Sequence, residues 1–264
     1  MSTDALFSLV GKRALVTGAT GHLGVEIVRG LAHAGALVYI NSRSEERASE
    51  IVCMMKKEGL VTELAVFDVT SDQEVADFLA TWDGPLHVLV NNAYAGGAGS
   101  IKCATSEQYA SAYNVGMIAA HRVFQAFYPY MQRAVSLTGD ASVINMASMY
   151  GMVSPDPRVY ASPEAANPPF YGAAKSALLQ WTRYAACEFG PEHIRFNAIS
   201  PGAFPSLNVQ KNNAAFVEKL EDKVPLGRIG CPNELVGPML FLASKASIYV
   251  TGTNLVVDGG WTSW

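Results

Sequence analysis

The chain is poor in cysteine. Its 264 residues include four, Cys53, Cys103, Cys187 and Cys231, far apart and with no CxxC pair. This argues against a zinc ribbon or a disulfide framework and points to a reducing, cytoplasmic setting. Charge is also sparse, at 16%, and there is no basic surplus: 19 Lys and Arg stand against 23 Asp and Glu, a net charge of −4. A nucleic acid or anionic membrane partner would leave an electrostatic footprint that is missing here. No run of about 18 uncharged apolar residues occurs, and the opening MSTDALFSLVGKR lacks a basic stretch followed by an apolar one, so neither a membrane span nor an export signal is expected. The five histidines, His22, His33, His87, His121 and His193, show no HxxxH or HExxH spacing, and no metal is expected. What is abundant is apolar: 50% of residues are hydrophobic, enough for a sizeable core and a small-molecule partner.

Short β-branched runs alternate with helical patterns along the whole chain. Strands are predicted at Arg13–Thr17, Ala36–Asn41, Thr62–Phe67, Leu86–Asn91, Ala141–Ala147, Ile194–Ser200 and Asn254–Val257. Helices are predicted at Leu23–Ala34, Glu45–Glu58, Asp72–Thr81, Glu107–Gln132, Phe170–Glu188 and Asn233–Ser244, with Met239, Phe241 and Leu242 as a core stripe. Near-continuous apolar strands such as ALVYI and HVLVN belong in a parallel sheet covered on both faces. The expected architecture is an α/β, doubly wound Rossmann-type parallel sheet in a single domain, residues 1–264. One compositional break interrupts it: residues 154–169, SPDPRVYASPEAANPP, carry five prolines. The surrounding insertion, 152–169, is expected as an ordered irregular loop on the substrate side.

Three places carry chemistry. The first predicted strand runs into Gly18-Ala19-Thr20-Gly21-His22-Leu23-Gly24 and then a helix, the context in which glycines let a pyrophosphate approach the backbone and meet free N–H groups at a helix start. A second lies in YGAAK, where Tyr171 and Lys175 are one helical turn apart and share a face. An ammonium there favours the ionised phenol, whose unassisted pKa of about 10 is too high for a base near neutrality. Alone, such a pair is more often an ordinary helix contact. The third is Ser148, just past the predicted strand around Ser142–Met146, at the carboxyl edge where doubly wound folds hold ligands. A serine hydrolase is not indicated, because Ser148 lies in ASMYG and not in GxSxG. The second predicted strand ends in Ser42-Arg43 with no acidic residue before Glu45, which favours NADP(H) over NAD(H), since Arg43 can meet a 2′-phosphate.

Taken in order, TGATGHLG, Asp68-Val69, NNAY at 91–94, Asn114, Ser148, YGAAK, NAISPG at 197–202 and the terminal TGTNLVVDGG resemble the short-chain dehydrogenase/reductase family across essentially the whole chain, near its gluconate 5-dehydrogenase-like and sugar-modifying members. The resemblance implies Tyr171 as general acid/base, Lys175 lowering its pKa and holding the nicotinamide ribose, Ser148 on the substrate oxygen, and Asn114 supporting a water near Lys175. It carries cofactor contacts onto Gly18, Thr20, Gly21, His22, Leu23, Gly24, Ser42, Arg43, Asp68, Val69, Asn92, Ala93, Tyr171, Lys175, Pro201, Gly202, Phe204 and Ser206, and it implies a homotetramer built through the helices around Asn114 and Lys175.

Three departures from the family pattern stand out. The middle glycine of the turn has moved forward to Gly21, with His22 in its usual place. NNAG has become NNAY, so that Tyr94 is expected to narrow the cleft. Ser148 and Tyr171 are 23 positions apart, where about a dozen is usual, and the insertion supplies the excess. Tyr160 and Tyr150 have no lysine partner and are not the acid/base. The polar insertion residues Asp156, Arg158, Glu164 and Asn167 tilt the substrate towards a sugar-like keto compound. A 3-oxoacyl thioester reductase is the alternative within the class and a non-catalytic dinucleotide sensor the alternative outside it. A sugar-nucleotide epimerase, suggested by Gly21, would need more than the roughly sixty residues after Pro201.

Overall fold

The computed structural model describes residues 2–264. Seven strands, β1 (Arg13–Val16), β2 (Leu37–Ser42), β3 (Thr62–Val66), β4 (Val88–Asn91), β5 (Ala141–Met146), β6 (Ile194–Pro201) and β7 (Asn254–Val257), form one sheet. Their order is β3-β2-β1-β4-β5-β6-β7, and every pairing is parallel. The order reverses between β1 and β4, and this topological switch point is where a doubly wound sheet opens a crevice at the carboxyl ends of its strands.

The helices are α1 (Thr3–Phe7), α2 (Gly24–His33), α3 (Glu45–Lys57), α4 (Asp72–Leu79), α5 (Ser106–Tyr113), α6 (Ala119–Thr138), α7 (Pro169–Phe189), α8 (Leu207–Asn212), α9 (Ala214–Glu221) and α10 (Val236–Ala243). The period-2 geometry of the strands divides their side chains between two cores. Val16, Ile40, Val90 and Ile144 meet Ile27 and Leu31 of α2 and Met239 and Leu242 of α10, while Leu15, Leu89, Val143 and Phe196 meet Phe124, Phe127 and Met131 of α6.

The predicted strands agree with the observed ones to within two residues at either end. The predicted helix Glu107–Gln132 is a composite: α5 gives way at Asn114 to a π-helical turn, Asn114–Ile118, and α6 then runs on to Thr138, stopped by Gly139 in the left-handed conformation (φ +79°). Amphipathic period alone does not reveal a single-turn change in hydrogen-bond register. The segment predicted as helix Asn233–Ser244 begins as a 3-10 turn, Pro232–Leu235, before α10. Three short helices, α1, α8 and α9, are not among the predicted elements. No helix among the described residues is long and apolar enough to cross a membrane.

Candidate active site

The glycine turn follows β1. Gly18 has φ +58°, and a Cβ there would lie 2.7 Å from the Ala93 Cα. Gly24 is packed as closely: a Cβ would come 2.7 Å from the Gly18 carbonyl oxygen, so the helix can start only because both positions are glycine. Neighbouring strands hold the turn in place. The Asn92 amide donates to the carbonyls of Thr17 and Gly18 (both 3.0 Å), and the Gly18 N–H donates to the Asn41 side chain at 3.3 Å.

A cleft of about 600 Å³ opens above this turn, lined by Gly18, Thr20, Gly21, Ser42, Arg43, Asp68, Val69, Ala93 and Asn114 from the sequence reading. Arg47, Ser44 and Asn41 line it too and went unnoticed, although Arg47 follows Arg43 by four residues, in the first turn of α3, and Asn41 directly precedes the Ser-Arg pair. Asp68 accepts from the Thr70 N–H and hydroxyl (2.7 and 2.6 Å) and lies 3.7 Å from the Arg43 guanidinium. Burial opposes its ionisation, but these contacts outweigh it and hold its pKa below the usual carboxylate value.

The other expected cofactor residues lie outside the cleft wall. Leu23 and Gly24 form the start of α2 beneath the turn. Burial lowers the pKa of the His22 imidazole, which lies against the Pro205 backbone. Pro201 closes β6, and Gly202 abuts Asp258, where a Cβ would fall 2.5 Å from the Asp258 Cα. Phe204 packs on Gly230, and Ser206 caps α8 by accepting from the Val209 N–H.

At the carboxyl end of β5, Ser148 and Tyr150 begin a 3-10 turn, with the Ser148 oxygen accepting from the Tyr150 N–H at 3.1 Å. Pro168 and Pro169 begin α7, the second at a position that needs no N–H donor, and so bring Tyr171 and Lys175 over the sheet edge. The Lys175 ammonium lies 5.7 Å from the Tyr171 ring centroid and donates to the Met146 carbonyl at 2.6 Å. Lys175 is expected to lower the Tyr171 pKa; in the structure burial raises it instead, partly offset by a hydrogen bond with Ser148. Burial also pushes the Lys175 ammonium down to about 8. Beneath these groups runs a buried polar ladder absent from the sequence reading: the Asn91 amide donates to Asn145 and the Asn145 amide to the Thr182 hydroxyl, both at 2.8 Å.

The insertion folds against Tyr171. Val159, Tyr160 and Val153 pack with Tyr150, Phe216, Leu220 and Trp261, and the Tyr150 and Tyr160 hydroxyls share a hydrogen bond of 2.9 Å. Two of its polar residues do not serve as expected. Asp156 pairs with Arg158 (2.7 Å) and with Lys223 (2.5 Å), and Lys219 donates to the Arg158 carbonyl, so these charges tie the insertion to the α9 region. Glu164 is exposed, whereas the Asn167 side-chain oxygen is buried without a partner.

The glycine turn at the first crossover of a doubly wound sheet, with a cleft at its switch point, defines a protein of the dinucleotide-binding oxidoreductase class. The chain belongs to the short-chain dehydrogenase/reductase family and is an NAD(P)-dependent oxidoreductase; the family description "Enoyl-(Acyl carrier protein) reductase" matches residues 18–262. It is 33% identical to the gluconate 5-dehydrogenase of Gluconobacter oxydans over 99% of both chains, and 32% identical to a tropinone reductase homolog of Arabidopsis thaliana over 99% of this chain and 96% of that one. The crystal structure of a gluconate 5-dehydrogenase from Burkholderia cenocepacia, in complex with NADP and tartrate, superposes with a TM-score of 0.86 at 31% identity, covering 100% of both chains.

Proposed function

We propose that the protein moves hydride between NADP(H) and a carbonyl or secondary alcohol of a hydroxylated, sugar-like keto compound, with Tyr171 as general acid/base. The observation that carries this reading is the convergence of Ser148, Tyr171 and Lys175 at the carboxyl edge of β5. A bound dinucleotide supplies or accepts the hydride. Gly18, Thr20 and Gly21 would hold its phosphates and Ser42, Arg43 and Arg47 its adenosine end; the cleft they line has the glycine cradle and cationic rim that such a group needs.

The remaining steps fall to the chain's own side chains. Ser148, whose oxygen already accepts from the Tyr150 N–H, can direct its O–H at a carbonyl oxygen. Tyr171, kept protonated by burial, gives that oxygen a proton in reduction and takes one back in oxidation. The ammonium of Lys175 stabilises the phenolate left behind. Likeness to gluconate 5-dehydrogenases, one of them holding tartrate, supports the substrate class. One observation favours the second reading, a 3-oxoacyl thioester reductase: the wall around Tyr171 is apolar, built from Met149, Val153, Val159, Phe216 and Trp261.

A panel of keto-sugar acids, polyols and 3-oxoacyl thioesters, followed through nicotinamide absorbance alongside direct NADPH and NADH titrations by fluorescence, tests both readings. The first expects turnover on the hydroxylated compounds and tighter NADPH binding. Preferential turnover of the thioesters would move the assignment to the second.

A further inference from the structure

Tyr94 packs against the Tyr171–Lys175 pair. Its ring lies edge-to-face on Tyr171, with centroids 4.8 Å apart, and the Lys175 ammonium sits 5.2 Å from its centre. Gly96 makes room for the hydroxyl, since a Cβ there would fall 2.3 Å from it, and Gly116 lies along the ring, its would-be Cβ 3.7 Å from Cδ2. That hydroxyl is buried and has no hydrogen-bond partner among the described residues. The wall of the dinucleotide cleft runs from Arg43 past Asn114 to Tyr94 and Ala95, and includes neither Ser148, Tyr171 nor Lys175. A ligand entering from the Arg43 end therefore meets the Tyr94 ring before the acid/base pair.

Opposed forces act on this ring. The edge-to-face contact and the ammonium hold it in place. The unpaired buried hydroxyl opposes them, because it would gain a partner by turning outward. Resting on the NADP(H) reading above, we propose that Tyr94 is a positioning residue that controls access of the nicotinamide half to the Tyr171–Lys175 pair: its ring occupies the approach beside Lys175 and must turn aside, leaving the adenosine half of the cleft unaffected.

The test compares wild type, Tyr94→Ala and Tyr94→Phe, each checked for folding by circular dichroism, in equilibrium titrations with NADPH and with adenosine 2′,5′-bisphosphate, which carries only the adenosine end. A ring that stands aside a tenth of the time lowers apparent affinity about tenfold. Tyr94→Ala should therefore bind NADPH about tenfold more tightly than wild type, while the bisphosphate binds both alike. Tyr94→Phe keeps the ring and loses the unpaired hydroxyl, so the closed position gains and NADPH should bind no better than to wild type, a comparison that remains available should the alanine variant fail to fold. Unchanged NADPH affinity in Tyr94→Ala, or equal shifts for both ligands, or tighter NADPH binding by Tyr94→Phe, would overturn the proposal. If the bisphosphate bound none of the three proteins, the NADP(H) reading on which the proposal rests would fall.

Discussion

Three side chains have opposing structural and chemical consequences. Removing the Tyr171 hydroxyl in Tyr171→Phe keeps the ring in its cluster and takes away the proton that the proposed reaction moves. Turnover should fall about 10²- to 10⁴-fold with dinucleotide affinity nearly unchanged, and substantial residual rate in steady-state assays would remove Tyr171 from that role. Arg43, three-quarters exposed beside Asp68, can offer a 2′-phosphate a charge-assisted contact. Arg43→Ala should weaken NADPH binding about tenfold to a hundredfold and NADH binding little; equal losses for both in parallel titrations would make Arg43 structural.

Lys175 opposes stability. With its pKa at about 8 in the fold and 10.5 when exposed, its ammonium is buried at a cost at pH 7. Between pH 8 and 10.5 the unfolded chain holds the extra proton, so stability from this group rises with pH across that window. The shift corresponds to about 3 kcal/mol, of which loss of the bond to the Met146 carbonyl returns about 1. Lys175→Met should therefore be inactive yet melt higher than wild type at pH 7, with the gap narrowing at pH 10. A lower melting temperature for the variant at pH 7 would show that the ammonium is better compensated than its burial suggests.

At the level of elements, the irregular segments differ most from sequence expectation. The π-helical turn places Asn114 on the cleft wall at the junction of α5 and α6, where an uninterrupted helix was expected. The 154–169 insertion was expected to present Asp156 and Arg158 to a substrate; instead their charges clamp it to the α9 region, while Val159 and Tyr160 pack beside Tyr171. On the proposed reading, the insertion would bear on selectivity through α9 and the aromatic wall. Replacing the insertion with a short Gly-Ser turn should speed amide hydrogen exchange in α9, raise KM for the preferred substrate and leave NADPH affinity unchanged. If exchange in α9 and selectivity both stayed at wild-type values, the insertion would have no part in the site.

Across the molecule, the parallel sheet is tied together by buried polar groups as well as by its two apolar cores. His87, at the entrance to β4, accepts from the Arg13 N–H through Nδ1 at 3.0 Å, and burial pushes its pKa down to about 4. The unfolded chain takes up that proton near pH 6.5 and the folded chain only near 4, so stability should fall by roughly 2–3 kcal/mol as pH drops through that window. His87→Asn preserves an acceptor and removes the titration; its denaturant midpoint should vary less than that of wild type between pH 7 and 4. Parallel pH profiles for the two proteins would place the acid sensitivity elsewhere.

By itself the sequence determined the alternation of seven strands with helices, the parallel sheet, the glycine turn and the spacing of Tyr171 and Lys175. Each of these is written locally, in residue period, in chain order or in the need for a missing Cβ at Gly18 and Gly24. Only the tertiary structure decided what depends on groups far apart in the chain: that burial leaves the Tyr171 phenol neutral, that Asn41 and Asn92 brace the turn from neighbouring strands, that Asp156 faces Lys223, and that Tyr94 stands between the cleft and Lys175. The reason is physical. A pKa and an ion pair are set by desolvation and by neighbours brought close through space, and neither quantity belongs to any short stretch of chain.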